Sequence, residues 1–164
     1  TKSTAIIQGG ISEGIGPVYA NVYGQDTAGG TVFRINPVLL PIMKDRGQYT
    51  EAVMERIAKA QGSVQGESWL TDHEKEVFRT AYEINQETIL LMGSHRQRIM
   101  SAGGGGQGQS LNLYFTAEES EEEISRLHHL AYEDEHLQSL YYVHSLNEES
   151  TYKVDKSTCS ACEG

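Results

Sequence analysis

Ser139-Leu140-Tyr141-Tyr142-Val143-His144-Ser145 decides how this chain is read. Aromatic and β-branched residues suit a pleated, half-buried surface, so the run is predicted to be a strand. It carries two adjacent phenols, and a polar stretch after it ends in the chain's two cysteines, Cys159-Ser160-Ala161-Cys162. Working upstream, Ser110 to Phe115 alternates like a second strand and contains most of Gln109-Ser110-Leu111-Asn112-Leu113. Between the strands, Thr116-Ala117-Glu118-Glu119 reads as a capping box. Glu121, Glu122 and Glu123 add negative charge where the helix dipole favours it. Ile124, Leu127, His128 and Ala131 fall at the spacing of a buried helical stripe. A strand, a crossover helix and a second strand predict parallel pairing with a right-handed connection, so the class is α/β.

The chain is 164 residues long, enough for one domain with a real core. With 38% hydrophobic and 22% charged residues, its composition is that of a globular protein. A net charge of −10 argues against a nucleic-acid or anionic-membrane surface, since both need a cationic face. No apolar run approaches the ~20 residues that span a bilayer, and no leader pattern is visible, so a cytoplasmic location is expected. Two close cysteines make a poor structural staple, and in a reducing compartment such a pair more often does chemistry.

Towards its start the chain opens on Thr1-Lys2-Ser3-Thr4-Ala5, without a methionine, as if in the middle of a motif. Small hydroxyl residues there suit the first turn of a helix, as a cap or as an anion site. Gly9-Gly10-Ile11-Ser12-Glu13-Gly14-Ile15-Gly16-Pro17 is a loop lacking the Gly-Lys-Ser/Thr ending of a phosphate cradle. A strand is expected over Val18 to Tyr23, a turn at Ala28-Gly29-Gly30, and a second strand over Thr31 to Ile35. Asn36-Pro37 starts a helix that should end at Gly47, and Thr50 caps another that stops near Gly62. Thr71-Asp72-His73-Glu74 is a capping box. Beyond it, Val77, Phe78, Ala81 and Ile84 lie at helical spacing, and Ile89, Leu90 and Met92 begin a further helix, all read as core. Gly103-Gly104-Gly105-Gly106 reads as a flexible surface loop.

His129, Glu133 and His136 stand at i, i+4 and i+7, with Glu133-x-x-His136 at the carboxylate-histidine spacing of di-iron bundles. Such sites need a second copy and further carboxylates, so a solvated helix face is expected and no metal site is assigned. His144 is read as a packed or rim histidine.

In combination, the opening turn, the Gln109–Leu113 segment, the tyrosine pair and the terminal Cys-x-x-Cys resemble the C-terminal part of the large (α) subunit of class I ribonucleotide reductase. The resemblance covers nearly the whole chain. It implies the C-terminal portion of that family's ten-stranded α/β barrel with a helical layer over residues 1–145. Residues 146–164 would then be a flexible tail bearing a redox-active cysteine pair. The Gly103–Gly106 stretch looks like an insertion against the family pattern.

The resemblance also implies the chemistry. Thr1, Ser3 and Thr4 match hydroxyl positions of the turn that holds the substrate phosphates, with Lys2 contributing its backbone N–H. Tyr141 and Tyr142 match the dyad that relays proton and electron between subunits, Tyr142 towards the small (β) subunit and Tyr141 towards the active site. A phenol suits this, because its O–H both donates and accepts and gives up a proton with the electron. Cys159 and Cys162 match the mobile shuttle that reduces the active-site disulfide and is itself reduced by thioredoxin or glutaredoxin. No cofactor is expected on this chain, the radical coming from the metal cofactor of the small subunit. The family's catalytic loop cysteine and its two barrel cysteines have no counterpart, since both cysteines lie in the tail. The expectation is therefore a component of ribonucleoside-diphosphate reductase, a split or truncated large subunit inactive without the N-terminal part. A rival from another class is a non-catalytic helical binding or metal-storage protein. Because successive strand side chains face opposite ways, stacking of the two tyrosine rings requires a twist or bend at the strand end.

Overall fold

The computed structural model describes residues 5, 7, 12, 14–27, 30–104 and 106–146, with backbone alone at 25–27, 30 and 31. Thr1 to Thr4, the start of the Gly9–Pro17 loop, Ala28-Gly29, Gly105 and the tail from 147 with Cys159 and Cys162 lie outside the described residues. The elements are β1 (Val22–Thr27), β2 (Gly30–Ile35), α1 (Leu39–Asp45), α2 (Glu51–Lys59), α3 (Asp72–Val77), a 3-10 turn (Ala81–Glu83), α4 (Gln86–Ser101), β3 (Leu113–Phe115), α5 (Glu121–Glu133) and β4 (Val143–Ser145). Among the described residues the strands make two two-stranded sheets, β1 with β2 and β3 with β4, and neither closes.

The first strand starts later than the sequence suggests. β1 runs from Val22, antiparallel to β2, with Val22 opposite Ile35 and Thr27 opposite Gly30. Residues 18–21 stay out of the sheet because their polar groups bond elsewhere. Val18 O accepts from Ala81 N at 2.7 Å, and Asn21 O accepts from Asn36 N at 2.7 Å. The buried Asn21 side chain donates to Phe78 O at 2.7 Å and Gly62 O at 3.2 Å, and accepts from Asn36 Nδ2 at 3.0 Å. Gly62 sits at φ +81, and a Cβ there would fall 2.3 Å from Ala20 Cβ, so glycine is required.

The helical middle mostly follows its caps. Asn36 Oδ1 accepts from Val38 N at 3.0 Å and its carbonyl takes Leu39 N, so α1 opens just beyond the Asn-Pro pair. Gly47 follows α1 at φ +65. Thr50 caps α2, and the Thr71–Glu74 capping box starts α3 with both reciprocal bonds made. The continuous helix expected through Ile84 does not form. α3 stops at Val77, and a second capping box at Thr80 and Glu83 starts the 3-10 turn. Val77 is consequently exposed, while Phe78 and Ala81 are buried. Met92, also read as core, lies on the exposed side of α4.

Two apolar clusters result. Val22, Leu39, Met43, Ile57, Val64 and Phe78 form most of the first. Leu90, Leu111, Leu113, Phe115 and Leu127 dominate the second, which sits beneath the parallel pair. α4 meets the second cluster closely at Gly93, where a Cβ would lie 2.8 Å from Leu111 Cδ2. α5 starts at Ser120, whose hydroxyl accepts from Glu123 N at 3.1 Å, and not at Thr116. Thr116 instead closes a turn, its carbonyl accepting from Glu119 N at 3.2 Å. β3 and β4 are shorter than their apolar runs, and they pair in parallel as expected: Leu113 with Val143, Tyr114 with His144, Phe115 with Ser145.

Candidate functional site

The tyrosine pair lies immediately before β4, and its place is set by β3 and the residues leading into it. Leu140 packs half-buried against the second cluster and anchors the approach. Tyr141 N then donates to Leu111 O at 2.8 Å, and Leu113 N donates to Tyr142 O at 2.9 Å. Tyr142 N donates to the Asn112 side-chain oxygen at 3.3 Å. These bonds hold the two residues beside the sheet while freeing them from strict strand alternation. That resolves the geometric tension in the sequence: the bend falls before β4 begins, so neighbouring side chains can meet. The ring centroids are 4.1 Å apart with planes inclined at 52°.

Both rings face solvent, Tyr141 at 59% and Tyr142 at 53% exposure. The Tyr142 phenol, hydrogen-bonded to Tyr141, holds the Tyr141 proton more tightly than an ordinary phenol would. Tyr141 is therefore neutral at physiological pH, with a proton to release whenever an electron leaves. An exposed pair of phenols in ring contact can pass a hydrogen-atom equivalent without charge building up in either ring.

The aromatic contacts continue past the pair. The His144 ring lies 5.8 Å from Tyr142 and stacks on Tyr114 at 5.0 Å and 17°. Tyr114 in turn meets Tyr82 edge-on at 5.3 Å. Tyr82 is half-buried, and burial raises its phenol pKa, with the Tyr114 phenol adding to the effect.

Several positioning residues carry no signal in apolar periodicity. Asn112 accepts from Tyr142 N and directs its amide at the Tyr114 hydroxyl, 3.4 Å away. Gln86 is buried, donates to Ala81 O at 2.9 Å and Ile84 O at 2.7 Å, and accepts from Tyr114 N at 2.9 Å. Gln97, fully buried, accepts from Gln109 N at 3.3 Å and donates to Gln107 O at 3.2 Å. Buried amides flanking a strand are the one hint the sequence offers, since a buried polar group must find partners.

His129, Glu133 and His136 do not share a helical face. α5 ends at Glu133, because the Asp134 carboxylate accepts from His136 N at 2.9 Å and Leu137 N at 2.8 Å and turns the chain. Burial works against the charge on Asp134, yet the Ser94 hydroxyl and those two amides hold its carboxyl below the usual range. Among the described residues, no three His, Cys, Asp or Glu side chains gather in a way that could hold a metal. His144 is a packed rim residue, as read, though it packs on Tyr114. Of the sequence-predicted site residues, the structure brings Tyr141 and Tyr142 together. Thr1, Lys2, Ser3, Thr4, Cys159 and Cys162 lie outside the described residues.

The strand–helix–parallel strand unit places the chain in the α/β class, and comparison with known proteins narrows it. A family model described as "Ribonucleotide reductase, barrel domain" matches residues 1–143. The ribonucleoside-diphosphate reductase large subunit of Invertebrate iridescent virus 6 is 34% identical over 149 residues, covering 88% of this chain and 15% of that protein. The large subunit from Danio rerio is 30% identical over 173 residues, covering 99% of this chain and 21% of that one. Among solved structures, the class Id ribonucleotide reductase alpha subunit of Actinobacillus ureae superposes with a TM-score of 0.72 at 32% identity. That superposition covers 90% of this chain and 25% of the other. The chain belongs to the ribonucleotide reductase family and carries part of its barrel domain. It spans about a fifth of the length of these relatives. No helix of the described residues is long and apolar enough to cross a membrane.

Proposed function

We propose that this chain supplies the radical-relay and re-reduction parts of a ribonucleotide reductase large subunit, for reduction of ribonucleotides to deoxyribonucleotides. The observation that carries the reading is the exposed Tyr141–Tyr142 pair, its rings in contact beside a parallel strand pair, in a chain of this family. Tyr142 takes the oxidising equivalent from the small radical-generating subunit, whose metal cofactor is its source. Tyr141 hands it on towards a cysteine on the remainder of the barrel. At each step one phenol loses an electron and a proton while the previous phenoxyl regains both.

Thr1, Ser3 and Thr4, with the Lys2 backbone N–H, hold the substrate phosphates. Cys159 and Cys162 reduce the active-site disulfide and are re-reduced by thioredoxin or glutaredoxin. The tail from residue 146 swings between those partners as a unit separate from residues 1–145. The catalytic cysteines must come from the rest of the barrel, on this or another polypeptide, so the chain alone is inert. It works in the cytoplasm. The tests are Tyr141→Phe and Tyr142→Phe in the complex reconstituted with the cysteine-bearing barrel portion and the small subunit. Turnover should vanish in each while folding is retained; surviving activity would overturn the relay.

A further inference from the structure

The ring contacts do not stop at the dyad. Tyr142, His144, Tyr114 and Tyr82 form one unbroken row, with successive centroids 5.8, 5.0 and 5.3 Å apart. Each gap is that of rings in direct contact. A second link is independent of the rings. The Asn112 side chain accepts from Tyr142 N and points its amide at the Tyr114 hydroxyl, fixing the two tyrosines relative to one another. The row runs inward from the exposed dyad and ends at a cleft of about 270 Å³ whose walls include Tyr82, Tyr114, Gln86 and Glu123. Tyrosine is readily oxidised, and three of the four residues in the row are tyrosines. The Tyr114 hydroxyl takes the Asn112 amide, while at 82 phenylalanine would fill the same ring contact.

We propose that Tyr114, backed by Tyr82, is a side branch of the radical relay that exchanges an oxidising equivalent with Tyr142. The proposal rests on the relay reading of the dyad. In the exchange, the Tyr142 phenoxyl gains one electron and one proton and its O–H bond forms. The Tyr114 phenol loses one electron and one proton and its O–H bond breaks. No further oxidant is consumed. His144, lying against both rings, is a positioning residue that keeps Tyr142 and Tyr114 in one row. Tyr82 is the inner end of the row, against Tyr114 and the cleft, and its proton is held firmly by burial.

The test uses the full chain with Cys159→Ser and Cys162→Ser, and a ruthenium polypyridyl photo-oxidant attached through Ser139→Cys beside the dyad. A 3-aminotyrosine in place of Tyr141, Tyr142 or Tyr114 traps the hole and reports it by electron paramagnetic resonance. After a flash with a sacrificial electron acceptor, the reporter at 114 should show an aminotyrosyl signal. That signal should be lost on Tyr142→Phe and should fall on His144→Ala, which removes the ring that links the two tyrosines. Circular dichroism of each variant separates loss of the signal from loss of the fold. A reporter signal at 142 with none at 114, or a signal at 114 indifferent to Tyr142→Phe, overturns the branch and leaves the relay standing. Silence at both 141 and 142 overturns the relay, and the branch with it.

Discussion

Tyr141→Phe and Tyr142→Phe each remove one oxygen from an exposed ring, so thermal unfolding should be unchanged while relay in the reconstituted complex is lost. Other single residues matter through the backbone they hold. Asn21→Ala strands Phe78 O and Asn36 Nδ2 without their buried partner, and should cost about 2 kcal/mol in urea unfolding. Gly93→Ala adds a methyl 2.8 Å from Cδ2 of the buried Leu111 and 3.4 Å from Leu137 Cδ2, in a cluster with little room to give. Overpacking of roughly 1–3 kcal/mol outweighs the ~1 kcal/mol gain in helix propensity, so a net loss is expected in the same measurement. The tyrosine pair was legible as a site only through the family resemblance, because two adjacent phenols alone read as neighbours on a core strand. Asn112, Gln86 and Gln97 were not. An amide's job depends on which carbonyls and N–H groups the fold brings to it, and that information lies far away in the chain.

At the scale of elements, α3 shows how a local signature and a distant partner combine. Glu74 closes the capping box onto Thr71 N at 2.8 Å and also receives both guanidinium nitrogens of Arg46, at 2.9 and 2.7 Å. The Arg46 bonds foremost, then those from Thr71, pull its carboxyl from 4.5 down to about 2. A carboxyl lowered on folding stabilises the native state fully above its unfolded value. That contribution should fade as pH falls from about 4.5 through about 2, and Glu74→Gln should flatten this part of an acid-unfolding curve. Leu113 is fully buried at the start of β3, and Leu113→Ala should cost about 2–5 kcal/mol by the cavity it leaves. Caps at Thr50 and Thr71 were readable because each needs only four consecutive residues. Two misreadings share a cause, competition between neighbouring signals. Thr80-x-x-Glu83 outcompeted a continuous helix, and Ser120 displaced Thr116 as the start of α5.

At the scale of the whole molecule, α4 is the least ordinary element. Its buried face is Gln86, Ile89, Leu90, Gly93, Ser94 and Gln97, while Leu91, Met92, Ile99 and Met100 are exposed. Apolar periodicity misassigned Met92 for this reason: the inward stripe is half polar, while the outward side sets Leu91, Met92, Ile99 and Met100 among Thr88, His95 and Arg98. The parallel α/β class was readable from element order, yet the barrel came only from family resemblance, since one parallel pair does not declare how many strands surround it. Exposed apolar surface of this kind marks an interaction face. The isolated chain should therefore enhance the fluorescence of an apolar dye, and addition of the cysteine-bearing barrel portion should suppress it. The bonds that seat Tyr141 and Tyr142 on Leu111 and Leu113 run from main chain to main chain. Substitution at either leucine leaves those amides and carbonyls in place. A lineage can thus exchange one apolar side chain for another at 111 or 113 and still deliver two phenols to the same address.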